Sequence, residues 1–219
     1  YQVAWEEGIQ NYMVNSILIT VVTVCFVILL SCTFSFMLAR FPFKGSGILI
    51  GLFFAGMMIP VHCTLIPLYN MMNMAGLIDH LWALLFPYVA SSLPIAVFLT
   101  YGHYQQLPKE LEEAARIDGC SVTGMFFRVF LPLSKPVIST ISILTALSAW
   151  NEFMFANVFL SDPNQKTLPI GLLALKGTYS TDYAALCAAL TMSAVPIILV
   201  YVLMSNKIQS GMVAGAVKS

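Results

Sequence analysis

Charged residues are scarce in this chain. Of its 219 residues, 10 are Lys or Arg and 10 are Asp or Glu, which together make 9%, whereas hydrophobic residues make 59%. Soluble domains carry about 25% charged residues, so too few are present here to build a water-facing surface. The composition argues against a soluble enzyme, a nucleic-acid-binding protein and a disordered chain. It indicates instead a polytopic protein of the lipid bilayer.

Motifs for metal, nucleotide and catalytic chemistry are also missing. The five cysteines are scattered and form no CxxC pair, so they predict neither a disulfide framework nor a zinc site. No GxxxxGK[ST] sequence is present to bind a nucleotide. No group of His, Asp and Glu has a spacing suited to catalysis. We therefore expect no cofactor, no metal site and no catalytic residue.

Five long runs without Asp, Glu, Lys or Arg predict membrane-spanning helices. A helix needs about 20 mostly apolar residues to cross a bilayer. Helices are expected because backbone polar groups in lipid must pair within the segment. The predicted spans are residues 13–39, 47–68, 81–101, 136–158 and 183–205. We expect prolines to interrupt them at Pro60, Pro67, Pro87, Pro94 and Pro196.

The basic residues predict the orientation of these spans. Eight of the ten fall in segments 40–46, 102–135 and 206–219, and only two fall in segments 1–12, 69–80 and 159–182. Because cytoplasmic loops carry the excess of Lys and Arg, the first set is predicted to be cytoplasmic. The chain as given then begins outside and ends inside. We expect one transmembrane domain, residues 1–219, with a cytoplasmic loop at 102–135 and a cytoplasmic tail at 206–219.

The 102–135 loop has the signals of two short helices. Pro108 suits a first helical turn, and the glutamates after it are favoured there by the helix dipole. Gly119 can end this helix in the left-handed conformation. A second helix is predicted from residue 121 to 130, with Leu131-Pro132 ending it.

The first of these helices combines a charged side with a small apolar face. Glu112 and Arg116 stand four residues apart in the order that favours an ion pair, worth about 0.3–0.5 kcal/mol. The apolar face aligns Leu107, Leu111 and Ala114, with Ala115 beside them. Such a face is typical of a docking surface and also of an ordinary surface helix.

Glu113-Ala114-Ala115, then Gly119 and Leu131-Pro132, resemble the EAA loop of ABC importer permeases. Further matching pieces extend the resemblance over essentially the whole chain: Ala39-Arg40-Phe41, Met58-Ile59-Pro60, Leu107 to Glu112, Trp150-Asn151-Glu152-Phe153, Thr167-Leu168-Pro169 and Gly211 to Lys218. They favour the carbohydrate-uptake branch related to the maltose permease (MalG-like). Family members usually have six spans, so the resemblance implies a preceding helix that the sequence as given lacks.

The resemblance implies roles for residues in the loop and the tail. The implied ATPase-coupling residues are Glu110, Glu113, Ala114, Ala115, Gly119 and Pro132. The carboxylate of Glu113 would pair with a basic group of the ATPase, the two alanines would permit close seating, and Gly119 would allow the turn. Gly211 and Gly215 would supply the flexibility of a tail that reaches towards the ATPase.

The same resemblance implies three protein partners and a location in the cell membrane. The partners are a cytoplasmic ABC ATPase dimer, a second, MalF-like permease subunit, and an extracellular or periplasmic sugar-binding protein that loop 159–182 would contact. Trp150, Asn151 and Glu152 are possible pathway residues. A carboxylate inside a span is unfavourable by about 2.5–3.5 kcal/mol and marks function by default. Anchoring at the membrane interface is the other interpretation.

Two other classes stay open on the residues alone. A secondary transporter driven by an ion gradient would need intramembrane acids, and few are present. A membrane-embedded enzyme would need a convergent set of catalytic groups. Neither class explains the two-helix loop, and no residue selects one substrate among sugars and glycerol phosphates.

Overall fold

The computed structural model describes residues 5–174 and 183–216, and these contain no β-strand. The α-helices in chain order are α1 (Gln10–Arg40), α2 (Ser46–Gly56), α3 (Leu65–Met74), α4 (Leu85–Gln106), α5 (Glu110–Ile117), α6 (Val122–Leu133), α7 (Lys135–Trp150), α8 (Met154–Phe159), α9 (Leu168–Ala174) and α10 (Tyr183–Ala216). One-turn 3₁₀ segments precede α3 and α4, and α6 contains a π-helical turn at Phe126–Phe130. The predicted all-α, polytopic class is confirmed.

Two described helices are each long and apolar enough to cross a membrane. They are α1, Gln10–Arg40, and the helix Leu81–Gln106 that includes α4, and they confirm the first and third predicted spans. Two bent helix pairs would raise the number to four. The fifth predicted span lies on α10, where Leu186–Leu199 is a shorter apolar helical stretch.

The second and fourth predicted spans are broken. The 47–68 span is interrupted at Pro60, as predicted, because α2 ends at Gly56 and the next helical turn begins only after Pro60, whose backbone is extended. The prediction of a helix over 136–158 was wrong, because α7 ends at Trp150 and α8 begins at Met154. Pro60 fixes its own φ and lacks an N–H, so a break at that point is physically expected.

The other four prolines were predicted to interrupt their spans, but none of them breaks a helix. Pro94 and Pro196 lie inside the continuous helices α4 and α10. Pro67 and Pro87 occupy the third positions of α3 and α4, close to the 3₁₀ turns that precede these helices. Pro94 also fills space, because a Cβ atom placed on Gly56 would lie 3.5 Å from its Cγ atom.

The chain divides into two compact units. The first unit comprises Tyr1–Val24, Pro60–Ser91 and Leu144–Leu203, and the second comprises Cys25–Ile59, Ser92–Ile143 and Met204–Ser219. The first unit holds two apolar clusters. In one, Leu84 and Tyr88 of the α4 region pack with Phe155 and Phe159 of α8. In the other, Trp150 packs with Ile9, Leu168, Ala188 and Ala189.

A close approach fixes α9 within the first unit. Gly171 of α9 lies directly against the ring of Tyr12, so close that a Cβ atom at this glycine would overlap the ring. The start of α9 is tied to α1 as well, because Ser16 accepts a 2.8 Å hydrogen bond from the backbone N–H of Leu168. Asn15 donates to the carbonyls of Asn164 and Lys166 at 2.9 and 3.0 Å.

The second unit joins α1 to α4 through small hydroxyl residues. The hydroxyls of Ser35 and Thr100 lie 2.6 Å apart, and the Ser35 hydroxyl donates to the carbonyl of Val97 at 3.2 Å. Its main apolar cluster centres on Phe36, which is 2% exposed and has rings of Phe41, Tyr104, Phe126 and Phe130 around it. The cluster also includes residues of the 102–135 loop, and it therefore forms the base on which that loop rests.

Candidate functional site

The 102–135 loop contains two short helices, as predicted, and we call it the coupling loop. α5 begins at Glu110 and not at Pro108, which precedes the first turn. Its first turn holds Glu110, Glu112 and Glu113, where negative charge is favourable. The predicted ion pair is present, since Arg116 Nη2 lies 2.5 Å from Glu112 Oε1.

Gly119 ends α5 as predicted. Its φ of +75° lies in the left-handed region, which glycine enters without a steric penalty. Three backbone hydrogen bonds close the turn: Asp118 donates to Ala114 at 2.9 Å, Gly119 to Arg116 at 3.0 Å and Cys120 to Ala115 at 2.9 Å. Ser121 then caps α6, because its hydroxyl accepts from the backbone N–H of Gly124 at 3.1 Å. The turn between the helices is thus specified locally.

The two alanines of the motif face in different directions. Ala115 is 5% exposed and belongs to the cluster around Phe36, so it packs inside this chain. Ala114 is exposed. The exposed side of α5 also carries Glu110, Glu113 and Ile117, the last of which is 85% exposed. Of the two motif alanines, only Ala114 is therefore accessible at the surface, whereas Ala115 lets α5 approach its own base.

Pro132 does not end α6 in the predicted way. The helical segment continues through Leu131–Leu133 and breaks at Ser134, where α6 and α7 meet at a bend of 75°. Ser134 stabilises this break, because both its backbone N–H and its hydroxyl donate to the carbonyl of Phe130, at 3.0 and 2.7 Å. Pro132 itself is exposed. A serine that bonds back to the preceding turn can bend a helix, and the proline ring nearby adds to that effect.

Arg40, at the end of α1, holds the start of the coupling loop. Its Nη2 atom donates to the carbonyls of Tyr104 and Leu107, both at 2.6 Å. Its guanidinium carbon lies 5.0 Å from the centre of the Phe130 ring. The sequence indicated this arginine only as one of the eight basic residues on its predicted side and as part of a motif fragment, because its partners lie more than 60 residues away.

The three possible pathway residues have distinct surroundings in the first unit. Trp150 is 7% exposed in an apolar cluster, and Asn151 is exposed and donates to the carbonyl of Leu147 at 2.8 Å. Glu152 accepts from the backbone N–H groups of Phe155 and Ala156, at 2.8 and 3.2 Å, and from the hydroxyl of Tyr88 at 2.8 Å. Its carboxylate therefore caps α8 and ties it to α4.

Loop 159–182 is described only in part. Asp79 holds its beginning, because its carboxylate accepts from the backbone N–H groups of Ser161 and Asp162, the latter at 3.1 Å. These two bonds lower the pKa of Asp79 below the ordinary value of a carboxyl group. Asp162 in turn accepts from the backbone N–H of Asn164 at 2.9 Å. Residues 175–182 lie outside the described part of the chain.

The two glycines of the tail lie on a helix, and the tail's contact with an ATPase stays a prediction. Gly211 and Gly215 lie within α10, which runs to Ala216, so the backbone there is helical and not the flexible segment that we expected. The last residues, 217–219, lie outside the described part. The five cysteines, all of which are described, are free.

A fold of membrane-spanning helices with a two-helix loop after the third predicted span is that of an ABC importer permease. A solved bacterial ABC transporter that imports the acidic polysaccharide alginate superposes with a TM-score of 0.83, at 22% identity, over 94% of this chain and 78% of that one. At this identity the likeness defines the fold.

The chain belongs to the family described as "Binding-protein-dependent transport system inner membrane component", which matches residues 31–210. It is 41% identical to the probable ABC transporter permease protein YurM of Bacillus subtilis, over 98% of this chain and 72% of YurM. It is 33% identical to the trehalose/maltose transport system permease protein MalG of Thermococcus litoralis, over 94% of this chain and 75% of MalG. The predicted family is confirmed.

Proposed function

We propose that this chain is the permease subunit of an ABC importer for a carbohydrate, and that it couples transport to ATP hydrolysis on a separate subunit. The coupling loop is the observation that carries this proposal. Its base is fixed by the cluster around Phe36, and its outer side exposes carboxylates and small or apolar residues: Glu110, Glu113, Ala114 and Ile117. A rigid element with an exposed mixed face is suited to docking in a cleft of a cytoplasmic ATPase dimer.

In this proposal the loop side of the membrane is cytoplasmic. The predicted orientation gives that side eight of the ten basic residues. Glu113 is exposed and pairs with a basic group of the ATPase, while Ala114 allows the ATPase surface to come close. Closure of the ATPase dimer then moves the loop as a rigid body with the helices attached to it.

A carbohydrate is the favoured substrate class because a relative at 33% identity, MalG of Thermococcus litoralis, is a trehalose/maltose transport permease by its name. A second permease subunit completes the pathway, and a sugar-binding protein outside the cell delivers the substrate. Contact between loop 159–182 and that protein, and a pathway role for Trp150, Asn151 or Glu152, belong to the same proposal. Asn151 is the most exposed of the three.

The experiment is ATP-driven uptake by the complete complex in proteoliposomes, with saccharide-loaded binding protein outside and ATP inside. Wild type should take up labelled saccharide only with ATP. Gly119 has φ +75° and open space around it on the docking side of the loop. Gly119→Asp should therefore place a charged side chain on that side and abolish uptake, while the complex still inserts. Uptake that needs an ion gradient and no ATP would contradict the proposal.

Two matched variants isolate the cause. Gly119→Asn has nearly the shape of aspartate without its charge, and asparagine tolerates the left-handed conformation, so it should retain more uptake than Gly119→Asp. Gly76→Asp changes another glycine with positive φ and open space, but outside the loop, and should stay within about twofold of wild type. Equal loss in Gly76→Asp and Gly119→Asp would overturn the coupling role.

A further inference from the structure

Arg40 contacts both ends of the coupling loop. Its Nη2 atom donates at 2.6 Å to the carbonyls of Tyr104 and Leu107, where the chain leaves α4 and enters the loop. Its guanidinium carbon lies 5.0 Å from the ring centre of Phe130, in the last turns of α6, where the loop ends. One side chain at the end of α1 therefore bridges the entrance and the exit of the loop.

The chemistry of these contacts suits a cation. Carbonyls in the last turn of a helix lack intrahelical donors and carry the negative end of the helix dipole. Pro108 follows Leu107 and has no N–H of its own, so the backbone next to this carbonyl offers one donor fewer. A guanidinium supplies two hydrogen bonds from one nitrogen and lays its plane on an aromatic ring at the same time.

The surroundings of Arg40 make the junction stiff. Phe36, one turn earlier on α1, packs against the rings of Tyr104 and Phe130, which are both fully buried. These two residues are the same ones that Arg40 contacts through a carbonyl and a ring. The end of α1 is thus joined to both loop ends by polar contacts and by packing, and a movement of the loop displaces it as well.

We propose that Arg40 is a positioning residue for coupling, which transmits the movement of the coupling loop to the cytoplasmic end of α1. This inference rests on the proposed function and names a residue outside the exposed face of the loop. Arg40 is half-buried and its two hydrogen bonds go to this chain, so it acts through the loop and not by touching the ATPase. It sets how much transport follows from each ATP hydrolysed.

The test measures saccharide transported per ATP hydrolysed by the reconstituted complex, together with the amount of ATPase that copurifies. Arg40→Met keeps an apolar stem and removes the donors. We expect it to lower the transport-to-hydrolysis ratio at least fivefold while the ATPase stays bound. Arg40→Lys keeps the charge and donors and should retain at least half of the wild-type ratio. Lys44→Met removes an exposed cation four residues away and should stay within twofold.

A ratio that stays at the wild-type value in Arg40→Met would overturn the inference, even if less complex is made, since a stabilising residue alone lowers both activities in proportion. If Arg40→Met fails to assemble, Phe130→Leu removes the ring contact and keeps apolar volume. We expect it to lower the ratio two- to threefold, and no change would again overturn the inference. Failure of the proposed function is distinguishable, because wild type itself would then show no ATP-dependent uptake.

Discussion

In both the coupling loop and the 151–168 segment, a charged side chain satisfies backbone groups at a helix end. The charge is positive in the first region and negative in the second. In the coupling loop, the cation of Arg40 donates to carbonyls at the end of a helix. In the 151–168 segment, the carboxylates of Glu152 and Asp79 accept from backbone N–H groups, and Glu152 does so at the start of α8. The sign of the charge follows from the helix end, because unpaired carbonyls at a C-terminal end favour a cation and unpaired N–H groups at an N-terminal end favour an anion. With only 20 charged residues in the chain, several serve to complete backbone hydrogen bonding where helices break.

The surface ion pair of the coupling loop and the carboxylate contacts of the 151–168 segment also differ in range. The cation–carboxylate contact on the surface of the coupling loop, Glu112 with Arg116, is local and partly exposed. The bond from Tyr88 to Glu152 joins residues 64 apart, and those from Ser161 and Asp162 to Asp79 join residues 82 and 83 apart. Removing a long-range contact that involves buried groups should therefore matter more than removing the surface pair.

The largest effect is expected for Glu152→Ala. This change leaves the buried hydroxyl of Tyr88 and two backbone N–H groups without their acceptor, and each such group costs about 1–3 kcal/mol. The unfolding temperature of the purified protein in detergent should fall by several degrees. Glu152→Gln keeps an acceptor oxygen and should lose less, and Asn151→Ala at the exposed neighbour should change little. Loss of transport at an unchanged unfolding temperature would instead favour the pathway role of Glu152.

A smaller, pH-dependent effect is expected at Asp79. Its pKa is lower in the folded protein than in the unfolded chain, because two backbone N–H groups stabilise the carboxylate. Its contribution to stability is therefore complete above the unfolded value of about 3.9 and is lost as the pH falls from there through the lowered folded value. The unfolding temperature of wild type should fall more between pH 5 and 3 than that of Asp79→Asn, in which asparagine tolerates the φ of +62°. Parallel curves for the two proteins would contradict this.

The smallest effect is expected for the surface pair Glu112–Arg116. The Arg116 side chain is 60% exposed, and solvent-exposed i,i+4 pairs contribute about 0.3–0.5 kcal/mol. A double-mutant cycle with Glu112→Ala and Arg116→Ala should give a coupling energy in this range, by thermal or denaturant unfolding. A value above about 1 kcal/mol would remove the contrast between this local surface pair and the long-range contacts of Glu152 and Asp79.

Local signals explain what could be predicted from the sequence. The acidic first turn of α5, the Glu112–Arg116 spacing and the left-handed Gly119 each involve residues within a few positions, and the structure contains all three. Charge-free runs likewise predicted α1 and the helix Leu81–Gln106, because length and composition suffice to identify a span.

Long-range contacts explain what could not be predicted. Nothing near Glu152 in the sequence indicates Tyr88 as its partner, so a carboxylate in a predicted span suggested a pathway where the structure has a helix cap. In the sequence, Arg40 is one of eight basic residues on its predicted side, and nothing near it indicates its bonds to Tyr104 and Leu107. The positions of the prolines were also insufficient to predict where helices break, since Pro60 falls at a break whereas Pro94 and Pro196 lie within continuous helices.

The most direct test of the central claim is photo-crosslinking from the exposed face of the coupling loop in the assembled importer. A photoreactive amino acid replaces Ile117, which is 85% exposed on α5, or, as a control, Ile66, which is 72% exposed on α3. We predict a covalent adduct between position 117 and the ATPase, with ATP-driven uptake lost in proportion to the adduct, and no ATPase adduct from position 66. An importer that transports its saccharide with ATP and yields no ATPase adduct from position 117 would contradict the account.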